Sequence, residues 1–299
     1  KSIGLVDVYP VGAVTIGLKG ENLAELSAMA DSTARVRIFS DDGHCVSDPV
    51  LMRRALEYVK AFNGVIAQHA QEPRLTKNAQ MNESELSGRL GLTGWPAVAE
   101  EAIVARDVLL TEHVQSKLHV CHASTAGTVD ILRWAKGKKV NVTAEVTPHH
   151  LFLSQIRCEG YDAKFKVNPP LRTDDDINEL RKALAEGIID VVATDHAPHP
   201  MEDKEGEWSS AAFGMTGLET ALSVVATAMV EAKLMTWADV ARVMSEKPAE
   251  IGQLTDHGRP IAENEIANLC IIDPNASWKV DAKDTHSLST NNPFHDMTL

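Results

Sequence analysis

Asp195, His196 and His199 fall within the stretch Thr194-Asp195-His196-Ala197-Pro198-His199, a carboxylate and two imidazoles almost side by side. Neutral imidazole and carboxylate together suit zinc or a similar divalent ion. Three other apolar runs end in the same residue types. Gly64-Val65-Ile66-Ala67-Gln68 leads into His69, Leu118-His119-Val120-Cys121 into His122, and Val36-Arg37-Ile38-Phe39-Ser40 into Asp41-Asp42. An acid shared by two ions about 3.5–4 Å apart would activate water and polarise a carbonyl. A second carboxylate touching the activated water could take its proton and return it to a leaving nitrogen. That is equipment for hydrolysing or forming an amide.

The runs that carry these residues read as strands. Residues 188–193, before Asp195, are apolar and β-branched enough for a strand covered on both faces. Polar groups at the C-terminal ends of parallel strands line the mouth of a barrel, while side chains deeper in each strand fill its core. Strand-like and helix-like segments alternate, as in βαβ units. Strands are expected at 5–16, 36–40, 64–69, 117–122, 139–146 and 188–193, and helices at 21–30, from Asp48-Pro49 onward, at 95–114, around 129–135, at 174–184, 216–232 and 236–246. Asp48 before Pro49 is an N-cap with proline at the first helical position. The polar segment 71–91 is expected to be an active-site loop.

The fold class is therefore α/β, a (β/α)₈ TIM-type barrel over residues 1–250, with residues 251–299 forming part of a small β appendage around 267–274 and 278–280. About six strands are visible where a closed barrel needs eight. The chain starts without Met and directly in an apolar run, so the missing first strands are expected upstream of Lys1 and the C-terminus is expected to be incomplete too.

Composition narrows the classes. The 299 residues are 44% hydrophobic and 24% charged, ordinary for a globular domain, and no apolar stretch approaches a membrane span. A formal charge of −13 speaks against nucleic acid, which needs clustered Lys and Arg. Cys45, Cys121, Cys158 and Cys270 are scattered, which fits free thiols in a cytoplasmic protein. Twelve histidines are the one compositional hint of metal chemistry.

Taken together, Phe39-Ser40-Asp41-Asp42-Gly43, Gln68-His69-Ala70, His122-Ala123-Ser124, Glu145-Val146-Thr147-Pro148-His149-His150, Val167-Asn168-Pro169-Pro170-Leu171-Arg172 and Ala193-Thr194-Asp195-His196-Ala197-Pro198-His199 resemble the class I dihydroorotases of the amidohydrolase superfamily, notably the actinobacterial branch. The likeness runs through essentially the whole chain in order. It implies reversible, zinc-dependent cyclisation of N-carbamoyl-L-aspartate to dihydroorotate, with two Zn²⁺ per active site. Asp42 would bridge the metals, His69 and His122 would hold the second, and Asp195 would bind the first and serve as general base and acid. Asn168 and His199 would contact substrate, and the backbone at Phe213-Gly214 would hold the pyrimidine ring. The small-molecule substrate is the main partner implied; a homo-oligomer, and association with aspartate transcarbamoylase, go with it.

Other readings stay open beside these. Asp41 competes with Asp42, and Asp42 could merely cap the turn at Gly43. His119 is expected as a packed core residue and His149 and His150 as structural, while His44 and His113 belong on the surface. Met215, Leu218, Leu222 and Met229 are expected in the core. The family's His-x-His pair, with its arginine and asparagine, has no counterpart on an early strand here. The rivals are a dihydropyrimidinase, hydantoinase or allantoinase, and a catalytically silent homologue serving as an assembly partner. The former typically bridge their metals with a carboxylated lysine, and no lysine lies between Lys19 and Lys60.

Overall fold

The computed structural model describes residues 6–299. A parallel sheet forms its centre, built of β1 (Ile38–Phe39), β2 (Val65–Gln68), β5 (Leu118–Val120), β6 (Val142–Val146) and β7 (Val191–Val192), in that spatial order. Two short strands, β3 (Met81–Asn82) and β4 (Gly94–Trp95), pair separately. The register runs Ile38 beside Val65, Ile66 beside Leu118, Leu118 beside Val142 and Val146 beside Val192. Single parallel bridges extend the sheet at each edge, Gly12 to Phe39 and His196 to Met215.

Helices return the chain between strands. α1 is Leu26–Asp31, α2 Pro49–Val59, α3 Glu85–Leu90, α4 Val98–Val114, α5 Ala126–Gly137, α6 Pro148–Phe152 and α7 Asp174–Glu186. Their starts follow local chemistry. The Asp48 carboxylate accepts the Leu51 N–H ahead of Pro49, and Thr173 with Asp176 forms a reciprocal cap on α7. The helices bury Leu56, Val108, Leu132 and Leu180 against Phe39, Ile66 and Val146 of the sheet. Each such side chain contributes about 1.5–3 kcal/mol.

Several expected elements differ. Leu5, the start of the expected first strand, lies outside the described residues, and the rest of that segment pairs only at Gly12 and Thr15 before a 3₁₀ turn at Ile16–Leu18. Segment 71–91 is not one loop, since it carries β3 and α3. The helices expected at 216–232 and 236–246 each continue as π-helical turns, Ala226–Glu231 and Arg242–Glu246. Met215 and Met229 are fully buried, but Met215 sits on a sheet bridge and Leu218 is 60% exposed, so Leu218 is not core. Residues 267–274 form no strand; Ile271 is fully exposed there and pairs with no neighbouring backbone among the described residues. At 278–280 there is a single antiparallel bridge, Lys279 to Thr298, with Val280, Phe294 and Leu299 packed on Val167, Leu171 and Met215.

Candidate active site

Three strands end at one point. Asp42 follows β1, His69 follows β2 and His122 follows β5, so their side chains emerge at neighbouring C-terminal ends. His69 Nδ1 lies 2.9 Å from His122 Nε2, and Asp42 Oδ1 lies 3.1 Å from each. One cation with bonds of about 2.0–2.1 Å places tetrahedral ligands roughly 3.3 Å apart, so the donor set and its spacing both fit a single divalent ion. The two imidazoles are buried while half of the Asp42 side chain is exposed.

Electrostatics follow from this crowding. Burial alone would lower the His122 pKa, but the hydrogen bond to Asp42 and the negative charges of Asp42, Asp195 and Glu145 together outweigh that and lift it to about 9. Burial would raise Asp42, yet the adjacent imidazoles of His122 and His69 hold it well below the usual carboxylate range. A proton on His122 Nε2 thus serves both neighbours, and a bound cation would replace it. His122 also holds φ at 31°, a left-handed value uncommon outside glycine.

Asp195, at φ 47°, is the other left-handed residue of the site. It stands apart from the bonded three but shares with Asp42, His122, His119, Cys121 and Glu145 the wall of a cavity of about 530 Å³. Burial pushes its carboxyl up to about 6, assisted by Asp42 and Glu145 and opposed by His122. His196, its neighbour, turns away and accepts the Gly217 and Leu218 N–H groups.

Asp41 does not join the cluster. It is buried, and its carboxylate accepts the N–H groups of Val14 and Thr15 and the Thr15 hydroxyl. Its role is to tie the segment before α1 to the end of β1.

Glu145 had no role in the reading of the sequence beyond its place in a motif. Its Oε2 lies 3.0 Å from His119 Nε2, and its Oε1 accepts the His122 backbone N–H at 3.3 Å. Burial would raise its pKa, but the His119 bond, the charges of His119 and His122 and the His122 N–H together lower it. His119 is buried as expected, although as half of a polar pair rather than as packing; Thr143 Oγ1 lies 2.8 Å from its other nitrogen. The pair buttresses the strained His122 backbone. His149 and His150 are buried and uncharged, whereas His44 and His113 are exposed.

Asn168 donates from Nδ2 to Gln71 Oε1 at 3.1 Å, and the same oxygen lies 2.8 Å from His69 Nε2. Gln71 was not singled out by sequence; its only signal was lying two residues beyond a strand-end histidine. His199 Nε2 donates to the Phe213 carbonyl at 2.8 Å. Gly214 donates its N–H to the Lys166 carbonyl, and its own carbonyl accepts from Lys204 and Asn291. Its φ of 134°, and a Cβ that would lie 2.7 Å from His199 Nε2, require glycine there. Phe213 packs edge-on against Trp95. Metal-type donors and a raised carboxyl thus share one cavity, to which Asn168 is tied through Gln71 and His69, whereas His199 lines a separate cavity of about 710 Å³ with Lys204 and Asn291.

Comparison with known proteins agrees with this chemistry. A family model described as dihydro-orotase-like matches residues 1–128. The chain is 62% identical over all of its length to a dihydroorotase from Leifsonia xyli subsp. xyli, covering 68% of that protein. It is 61% identical to one from Streptomyces coelicolor over 99% of this chain and 69% of the relative, and 55% identical to one from Mycobacterium tuberculosis over 100% and 70%. Among solved structures, an L-hydantoinase (dihydropyrimidinase) from Arthrobacter aurescens superposes with TM-score 0.82 at 26% identity, over 92% of this chain and 63% of that one. A dihydropyrimidinase from Brevibacillus agri shares the fold, with TM-score 0.78 at 22% identity over 91% and 62%. The architecture is that of the TIM-barrel amidohydrolases, metal-dependent enzymes, and the chain belongs to the dihydroorotase family.

Proposed function

We propose that this protein interconverts N-carbamoyl-L-aspartate and dihydroorotate, using zinc, with Asp195 as the group that moves the proton. The observation that carries this is the convergence of Asp42, His69 and His122 on one point beside Asp195, in a chain of the dihydroorotase family. His69 through Nδ1, His122 through Nε2 and Asp42 through Oδ1 would hold one ion, and the half-exposed Asp42 would share a second with Asp195. When bound, the metal supplies Lewis acidity toward the ring carbonyl and makes water acidic enough to lose a proton near neutral pH.

The protein's own groups do the rest. Asp195, on the cavity wall beside Asp42 and His122, is placed to take a proton from the activated water and to return it to the departing ring nitrogen. Cyclisation runs the same transfers backward. Asn168 and His199 would orient the substrate at the rim, and the Phe213-Gly214 backbone would hold the ring. Two zinc ions, a homo-oligomer, contact with aspartate transcarbamoylase and a cytoplasmic setting belong to the same reading. No described helix is long and apolar enough to cross a membrane.

The test is to purify the full-length protein, measure its metal content, and follow dihydroorotate turnover before and after chelation and zinc return. Hydantoin and dihydrouracil serve as comparison substrates. Chelation should abolish turnover and zinc restore it, with dihydroorotate strongly preferred. Metal-free protein that turns over normally, or a preference for hydantoin, would sink the reading.

A further inference from the structure

Gln71 touches two parts of the site at once, and its amide can be oriented by counting protons. Shape alone does not distinguish the oxygen from the nitrogen of an amide, so the partners must decide. Thr76 Oγ1 lies 3.2 Å from the Glu72 carbonyl and donates to it. A hydroxyl has one proton, so toward Gln71, 2.8 Å away, Thr76 can only accept. The NH₂ of Gln71 therefore faces Thr76, and its oxygen faces His69 and Asn168.

Two consequences follow. An oxygen only accepts, so His69 carries its proton on Nε2. That leaves the lone pair on Nδ1, the nitrogen facing His122 Nε2 and Asp42 Oδ1. Asn168 must likewise turn its NH₂ to Gln71, which leaves its Oδ1 as the free end. That oxygen is buried and has no hydrogen-bond partner among the described residues.

We propose that Gln71 is a positioning residue that fixes His69 as an Nδ1 metal ligand and presents the Asn168 carbonyl oxygen to an N–H group of the substrate. The inference rests on the metal and substrate roles given above for His69 and Asn168. It makes the rim at Asn168 an acceptor, so it suits a substrate offering an amide or ureide N–H at that point. One amide thereby sets both the metal ligand and the substrate contact, which separate residues would otherwise set independently.

The test titrates full-length, metal-stripped parent, Gln71→Leu and Gln71→Glu with Co²⁺ against a competing chelator, then measures KM and kcat for dihydroorotate at saturating metal. Gln71→Leu has the bulk without the acceptor. It should weaken metal binding by about 10–100-fold, the usual cost of removing an outer partner of a ligating histidine. Its KM should rise while kcat at saturation stays within about fivefold. Gln71→Glu retains an acceptor oxygen and should hold metal at least as tightly as the parent. Parent-like metal affinity and KM in Gln71→Leu would overturn the proposal. If Gln71→Leu gives no folded protein, Gln71→Glu decides alone, and a tenfold loss of metal affinity there overturns it. Failure of the parent itself to take up cobalt would instead sink the metal reading beneath it.

Discussion

Asp41 and Asp42 are consecutive, yet Asp41 is sealed against the Val14 and Thr15 amides while Asp42 meets the rings of His69 and His122. The same residue type, one position apart, does structural work in one case and faces the cavity in the other. The two should separate experimentally. Asp41→Ala strands two amides and a hydroxyl in the interior, each worth about 1–3 kcal/mol when unmet, so a loss of about 3 kcal/mol is expected after partial relaxation. Asp42→Ala should cost less than Asp41→Ala in the metal-free protein, since its side chain is half exposed, while abolishing metal uptake. Urea denaturation with metal analysis checks both. Equal stability losses would show that the two carboxylates have been assigned wrongly.

Asp195→Asn should lower turnover by about 10²–10⁴-fold, the range for losing a general base, and leave the fold unchanged. Because Asp195 stands outside the bonded trio of Asp42, His69 and His122, the variant should still bind one metal through those three. Circular dichroism, metal content and dihydroorotate assay together decide. Turnover within a few-fold of the parent would remove Asp195 from the mechanism.

The site residues that sequence could find are those whose place depends on one strand alone. His69 and His122 each close an apolar run, and the sheet brings those ends together through in-register parallel pairing. Glu145 and Gln71 escaped because their meaning lies between elements. Glu145 reaches His119 only because β5 and β6 pair with His119 opposite Thr143, a register that no single run encodes. Asp41 against Asp42 was undecidable by spacing for a related reason, since the deciding partner is the backbone at Val14 and Thr15. The parallel α/β architecture was legible in the alternation of runs. Strand lengths were not, because the apolar run extends beyond the residues that pair; Val36 is buried without belonging to β1. The C-terminal strand expected at 267–274 failed for want of pairing, because apolar alternation does not supply a neighbouring strand.

His199→Ala and Asn168→Ala should leave metal content at the parent level, since neither belongs to the bonded trio. The effect should appear in KM, by about 10–100-fold for loss of a buried polar contact worth roughly 1.5–3 kcal/mol. His199→Ala should be the more disruptive to the rim, because it also releases the Phe213 carbonyl. Metal analysis beside steady-state kinetics tests this. Loss of a full equivalent of zinc in either variant would make that residue a ligand rather than a substrate contact.

His150 predicts an acid limit to stability. Its Nε2–H donates to the Pro169 and Pro170 carbonyls and its Nδ1 lies 2.8 Å from the Thr147 hydroxyl, so both nitrogens are satisfied by the neutral ring. Burial drives its pKa down to about 3, with the positive charges of His122 and Arg172 adding to the effect and the two carbonyls opposing it. The folded pKa lies below the unfolded value near 6.5, so the unfolded chain binds the proton first as pH falls. The contribution is therefore complete above about pH 6.5 and is lost progressively between 6.5 and 3. The slope is about 1.4 kcal/mol per pH unit, or about 2 kcal/mol between pH 7 and 5. His149, shifted in the same direction by burial, adds a similar slope. Urea unfolding at pH 7, 6 and 5 should show this decline, and His150→Gln, which cannot titrate, should flatten it by one group's share. A profile as steep in His150→Gln as in the parent would show that the acid sensitivity comes from elsewhere in the fold.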